Sequence, residues 1–407
     1  MRIKKTSIDW CPYIPEHWEV KRIKDIAFLQ SGKSITALDL HDDALYPVYG
    51  GNGFRGFTDT YTNEGDYVLI GRQGALCGNI NYAHGKFFAT EHAVVVYTKK
   101  GEITRWLGET LNIANLNRLS MTAAQPGLAV SAINNQPIPY PPQNERKRIA
   151  EYLNDKAGKI DARVSLLSKK RDAYQRLKKA LISRVVTKGL NPNAKIKPSG
   201  VDWIGEIPEG WKVKRIKEIG SLKLGKMLSE KPIPGYKLCK YLKSKNIGHL
   251  YLNMDSVEEM YFSEEEMNQL MLHKEDLLLS EGGEVGKTAI WNGELEECGI
   301  QNSVHKLTTF KGFSPKYYLY YSYMLSDNGY YKSIVNLVSI MHLTYEKLRR
   351  VVVLAPPLSE QQSIATYLDE KCSEIDANIA NLEKQIEKYK ELKRALISEV
   401  VTGKRRV

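Results

Sequence analysis

The feature that most constrains this chain is that its opening is written twice. Residues 9 to 33, DWCPYIPEHWEVKRIKDIAFLQSGK, return at 202 to 226 as DWIGEIPEGWKVKRIKEIGSLKLGK, with 15 of 25 positions identical. A second match pairs LKKALISRVVT at 177 to 187 with LKRALISEVVT at 392 to 402. Self-similarity of this kind sets the architecture before any motif is weighed, because each copy must fold into an equivalent frame. Between the matched blocks the halves diverge, so each copy carries its own insert.

Each insert leads into a strongly punctuated helix. YPPQNERKRIAEYL (140 to 153) and APPLSEQQSIATYL (355 to 368) place a double proline before an N-cap candidate, Asn144 in the first and Ser359 in the second. Ser359 with Gln362 has capping-box spacing, in which each side chain satisfies a backbone N–H of the first turn. Beyond the caps, Leu153, Ile160, Leu167, Tyr174 and Leu181 recur every seven residues, matched by Leu368, Ile375, Leu382, Tyr389 and Leu396. A second apolar row adds Ala157, Val164 and Val185 in one helix, and Cys372, Ile379, Ile386 and Val400 in the other. Sustained heptads with charged flanks point to coiled-coil pairing. The plainer alternative is two amphipathic helices, each packed on its own domain.

Connectivity then predicts an antiparallel pair, with the inserts at its opposite ends. The expected class is α+β: two α/β domains separated by a long antiparallel two-helix coiled coil, with a pseudo-twofold internal repeat. The expected segments are 1–143, a first insert domain; 144–188, the first helix; 189–200, a linker; 201–357, a second insert domain; and 358–407, the second helix. Within the inserts, DYVLI, AVVVY, DLLLS and TAIW have strand-like apolar content and are separated by glycine-rich turns.

Composition narrows the function. A hydrophobic fraction of 42% and a charged fraction of 26% are those of a soluble globular protein. No apolar run approaches the roughly 20 residues of a membrane span, and MRIKKTSIDW lacks the apolar core of a secretion signal. The five cysteines (Cys11, Cys77, Cys239, Cys298, Cys372) are scattered and odd in number, as expected of reduced thiols in a cytoplasmic protein. With 59 Lys and Arg against 47 Asp and Glu, the formal net charge is +12, which favours a polyanionic partner.

Motifs for enzymatic chemistry fail on inspection. LLLSEGGEVGKTAIW (277 to 291) ends like a phosphate-binding loop, but Glu281 stands where that loop needs its first glycine, and the carboxylate repels phosphate. YPPQ lacks the leading amide or carboxylate and the following aromatic of an amino-methyltransferase loop. Glu391 and Lys393 have the spacing of a nuclease metal site but lie in the heptad helix. The eight histidines form no H-E-x-x-H pattern, and no G-x-S-x-G elbow occurs. The tyrosine-rich KYYLYYSYML (316 to 325) reads better as a helix packing its rings in a core than as a platform for flipped bases.

What the inserts do carry is the polar chemistry of duplex reading. Arg and Lys suit phosphates and guanine, while Asn and Gln suit adenine. In the first insert the candidates for DNA binding are Lys33, Asn52, Arg55, Arg72, Gln73 and Asn79. In the second they are Lys240, Lys243, Lys245, Asn246, Lys287, Gln301 and Asn302. No catalytic and no metal-binding residue is expected.

Taken with PVYGGNG at 47 to 53, IPEGW at 207 to 211, PPLSEQQSIATYLDEKCSEID at 356 to 376 with its copy at 141 to 161, and the terminal ALISEVVTGK, these features resemble the DNA-specificity subunit of type I restriction-modification enzymes. The resemblance runs essentially the full length. It implies that each insert is a target recognition domain reading one half of a split, asymmetric DNA sequence. It also implies that the helices set the gap between half-sites and dock two methylation subunits. S-adenosylmethionine, ATP and Mg²⁺ would then belong to partner subunits, including ATP-dependent restriction subunits, with no cofactor in this chain. Asn144 in place of the expected Ser, and Gly158 inside the first helix at a cost of about 1 kcal/mol, depart from the family pattern. Two rival readings are a single-chain nuclease or methyltransferase, and a coiled-coil adaptor that never meets DNA.

Overall fold

A computed structural model describes residues 2–74, 76–120, 127–335 and 342–407. By packing, the chain divides into two compact units, Met1–Lys169 with Glu383–Val407, and Lys170–Leu382. Each long helix is therefore shared. The first, Gln143–Lys188, gives its beginning to the first unit and its end to the second, and Leu358–Val401 does the reverse.

In the first unit a four-stranded antiparallel sheet runs in the order Ala27–Ser31, Ala93–Thr98, Tyr67–Gly71, Ile80–Ala83. Its central strands are buried on both faces, which is why YVLIG and AVVVYT read as continuous apolar runs without alternation. Val68, Ile70, Val94 and Val96 face Trp106, Leu107 and Leu111 of the helix Thr104–Ile113. Leu69 and Val95 face the other way, onto Phe87 and Ala89. Phe87 and Ala89 belong to a second sheet, ordered Gly53–Thr58, Tyr46–Gly50, Lys86–Ala89, Asn63–Glu64.

The second unit repeats this plan with other side chains. Its main sheet is Gly220–Leu224, Val304–Thr309, Leu277–Ser280, Thr288–Ile290. Leu277, Leu279 and Leu307 share a core with the helix Pro315–Asp327, and Leu278 and Ala289 share another with the strands Lys237–Leu242, Glu258–Phe262 and Cys298–Ile300. The tyrosines of KYYLYYSYML are structural, since Tyr317, Tyr318, Tyr320 and Tyr321 are all buried. Two of them tie down the long helices, the Tyr317 hydroxyl donating to the Val186 carbonyl (2.9 Å) and that of Tyr320 to Asp369 (2.8 Å).

Within each unit the two helix portions run antiparallel. In the first, Ile149 and Leu153 share the core with Ile397 and Val400, while farther along Lys393 reaches Asp161 at 2.7 Å. In the second, Ile182 and Val186 share the core with Ile364 and Leu368, and Lys178 reaches Asp376 at 2.7 Å. Of the expected seam, Leu153, Leu167, Leu368, Ile375, Leu382 and Leu396 are buried, while Ile160, Tyr174, Leu181 and Tyr389 are half-buried. One departure falls at a helix end, near Leu181. There Ile182 and Val186, not Leu181, are fully enclosed, because the helix meets a sheet domain as well as its partner and buries a wider face.

The helix starts also correct the sequence reading. Both helices begin before Asn144 and Ser359, and no capping box forms between Ser359 and Gln362. The second proline takes the cap position. The Pro142 carbonyl accepts from the N–H groups of Glu145 and Arg146, and that of Pro357 from Glu360 and Gln361, all at 2.9–3.0 Å. Gly158 lies within the helix with no neighbour near its Cα hydrogen position, so the turn there is simply open to solvent. Among the described residues no helix is long and apolar enough to cross a membrane. All five cysteines are free and buried.

Candidate nucleic-acid interface

The first unit gathers most of its predicted side chains around one groove. Strands Tyr46–Gly50 and Gly53–Thr58 form a hairpin whose turn, Gly51–Asn52, leans on the loop after the strand Tyr67–Gly71. That approach depends on Gly71: a Cβ there would stand 2.0 Å from the Gly51 carbonyl oxygen. The turn and loop are then joined by an amide pair, Asn79 Nδ2 donating to Asn52 Oδ1 at 3.0 Å. Between them opens a groove of about 590 Å³ lined by Asn52, Phe54, Arg55, Gln73 and His92 with glycines 51, 53 and 74.

Asn52, Arg55, Gln73 and Asn79 are exposed at this place. The Arg55 guanidinium makes no hydrogen bond or ion pair among the described residues, whereas two of the four lysines of the second unit's set, Lys243 and Lys287, are ion-paired. Two other predicted residues stand apart from the lining. Arg72 is half-buried, its guanidinium donating weakly to Ser31 (3.4 Å), and exposed Lys33 sits on a bridge to Thr90. Beneath the groove, Asn81 Nδ2 and His92 Nδ1 are buried without a hydrogen-bond partner, so its floor offers more polar contacts than the chain fills.

The second unit shares the frame and not the groove chemistry. Equivalent backbone bonds run from Arg72 N to His92 O and from Glu281 N to Ser303 O, both 2.8 Å. Likewise Leu128 N reaches Arg72 O (2.9 Å), and Leu343 N reaches Glu281 O (2.8 Å). A carboxylate thus occupies the place of the guanidinium. Burial pushes the Glu281 carboxyl above the usual range, and nearby His342 opposes this. The hairpin turn is replaced by the longer segment 243–257.

Of the residues expected there, Lys240 and Lys245 are exposed. Lys243 and Lys287 are ion-paired to Glu258 and Glu284. Gln301 accepts from Ser303 Oγ, and the Asn302 N–H donates to the Lys226 carbonyl at 2.7 Å. Asn246 is a correction. It is 1% exposed, its Oδ1 accepting from Lys243 N (3.0 Å) and its Nδ2 donating to Asn253 O (2.9 Å), so its amide holds its own turn and is closed to a ligand.

The near-matches to enzyme motifs dissolve in the same geometry. Gly286, Lys287 and Thr288 link two antiparallel strands, where a phosphate cradle needs a strand-to-helix turn, and the Thr288 hydroxyl is buried against Ser322. Lys393 is engaged with Asp161. Among the described residues no cluster of three or more His, Cys, Asp or Glu is placed to hold a metal ion.

Comparison with known proteins accounts for the doubled frame. The profile described as "Type I restriction modification DNA specificity domain" matches residues 15–163 and again 208–388. This chain belongs to the type I restriction-modification DNA specificity family. A specificity subunit of Methanocaldococcus jannaschii, MjaVIII, is 26% identical over 97% of this chain and 94% of its own length. The Escherichia coli EcoprrI specificity subunit is 34% identical, over 38% of this chain and 40% of that protein. A solved chain from a study of complex assembly and conformational transition in a type I system has the same fold, with a TM-score of 0.67 at 17% identity, covering 95% of this chain and 98% of that one.

Specificity subunits are the non-catalytic members of these systems, in keeping with the family match. Within that family frame, two groove residues escaped the sequence reading. Phe54 carries no hydrogen-bonding signal in the sequence, yet it is 56% exposed between two glycine-rich turns, propped against Phe57 at 5.1 Å. His92 had no local signal at all, since only folding brings it beside Gln73.

Proposed function

We propose that this chain is the DNA-reading subunit of a type I restriction-modification complex, each unit reading one half of a bipartite, asymmetric target. The observation that carries this reading is the first unit's groove, where an unpaired guanidinium, three amides and an exposed phenyl ring converge. Such a set has the donors, acceptors and apolar contact that base edges require. The replacement of Arg72 by Glu281 at equivalent positions supports unlike half-sites.

In this proposal the two long helices form an antiparallel coiled coil relating the halves by a pseudo-twofold, and its length sets the unread gap in the target. Sequence duplication and the antiparallel packing inside each unit support it. Two methylation subunits would dock on the chain and bring S-adenosylmethionine; ATP-dependent restriction subunits, with Mg²⁺, would join that core in the cytoplasm.

The test is to map modified bases in cells that carry this chain with its partner subunits. A split motif with two different halves is expected, and DNA binding by the complex should weaken steeply with salt as phosphate contacts release counterions. An unbroken motif, or modification without sequence preference, would defeat the reading. Turnover by the purified chain alone, given DNA, Mg²⁺, ATP and S-adenosylmethionine, would instead favour a single-chain enzyme.

A further inference from the structure

The first unit's groove is specific enough in its hydrogen-bonding pattern to name bases. Asn79 and Asn52 share one hydrogen bond, and whichever amide donates it, the pair keeps one wholly unengaged NH2 group and one unengaged carbonyl oxygen, a donor beside an acceptor. The major-groove edge of adenine asks for that combination, offering the N7 acceptor beside the N6 amino donor. Guanine offers two acceptors, N7 and O6, and the donor-only fork of Arg55 matches it. Asn52 and Arg55 stand on a two-stranded hairpin, a shape that the major groove admits, and Asn79 joins them from the neighbouring loop.

Building on the base-reading role above, we propose that the half-site read by the first unit contains an adenine bound by the Asn52–Asn79 pair and a guanine bound by Arg55. Arg55 follows Asn52 by three positions. At about 3.3 Å per residue the two contacts fall within about three base pairs of each other. Arg55 serves a base rather than a phosphate because it lines the groove beside the amides, its stem lying along Gly50: a Cβ added there would stand 2.5 Å from Arg55 Cδ. The second unit has neither element. Lys287, at the place of Asn79, is paired to Glu284, and segment 243–257 replaces the hairpin turn, so its half-site is read by different chemistry.

The experiment maps modified bases over a random-sequence DNA pool, using the full chain assembled with its methylation subunits. For the unsubstituted complex, one half-site should specify a guanine and an adenine within about three base pairs. Arg55→Lys keeps the charge but loses the two-pronged fork. It should relax that guanine about tenfold to hundredfold and leave the other half-site untouched. Asn79→Ala should relax the adenine in the same half-site. A thermal melt of each complex keeps the comparison to folded protein. The proposal is overturned if Arg55→Lys leaves the motif unchanged while binding weakens uniformly, which marks a phosphate contact, or if neither half-site holds such a pair. A complex with no base preference at all would remove the underlying role as well, and is told apart by the unsubstituted protein.

Discussion

Trp211 donates its indole N–H to the carboxylate of Glu360 at 3.0 Å, as Trp18 does to Glu145 at 2.9 Å. Each tryptophan comes from the repeated opening and each glutamate from the first turn of a long helix, so the bond fixes the angle at which a helix leaves its unit. Both indoles are buried, and each packs on the glycine that ends the other long helix, Gly189 against Trp211 and Gly403 against Trp18. Both glycines have φ near +70°, a conformation other residues adopt only with strain.

Replacing Trp211 by phenylalanine keeps most of the packing and removes the donor. A hydrogen bond to a charged group is worth about 1.5–3 kcal/mol. Trp211→Phe should lower stability by that order in a denaturant titration. A loss well below 1 kcal/mol would mean the helix angle is set by packing alone.

At the same helix start the units diverge, and that divergence predicts unequal sensitivity. Arg146 is buried with an ion pair to Glu102 and stacks over Tyr140, 4.1 Å from the ring centre, whereas Gln361 at the equivalent place bonds neutrally to Ser314 N and Pro356 O. Arg146→Ala leaves the Glu102 carboxylate without its cation, with only the Tyr140 hydroxyl (2.8 Å) still donating to it, and should cost about 3–5 kcal/mol. Gln361→Ala should cost about 1–3 kcal/mol, since it leaves only neutral groups unpaired.

Acid should weaken the second unit through His305. Burial pushes its imidazole down to about 4, although the bond from Nε2 to the Leu343 carbonyl (2.7 Å) favours the charged ring. The unfolded chain therefore binds the proton first as pH falls. Stability is complete above the unfolded value of 6.5 and is lost as pH drops from there towards 4. By pH 5 the loss is about 2 kcal/mol. His305→Gln should flatten the fall between pH 7 and pH 5, measured by chemical denaturation. An unchanged slope would assign the acid sensitivity to other groups.

If the helices act as a ruler, the target gap follows their length. One heptad added to each adds up to about 10 Å at 1.5 Å per residue, or roughly three base pairs at 3.4 Å each. Mapping modified sites for such a variant should show both half-sites unchanged and the gap lengthened. An unchanged gap would exclude the ruler.

The sequence alone determined the doubled frame, the two long helices with their heptads, the apolar strands of the inserts and the structural role of the tyrosine-rich helix. These are local: repeats, periodicity and apolar runs report how a segment must be buried, whatever it meets. Caps were less legible, because a proline carbonyl as first acceptor leaves no side-chain signature, and the side-chain cap signal falls on Asn144 and Ser359 instead. Tertiary structure alone decided which polar residues form a site. Asn52, Arg55, Gln73 and Asn79 came together because Gly71 lets the hairpin tip approach the loop, and His92 joined them across the sheet. Asn246, chemically equal to Asn52 in sequence, was turned inward to hold its own loop. A side chain's hydrogen-bonding capacity is written in its residue type, but whether the fold consumes that capacity depends on neighbours distant in the chain.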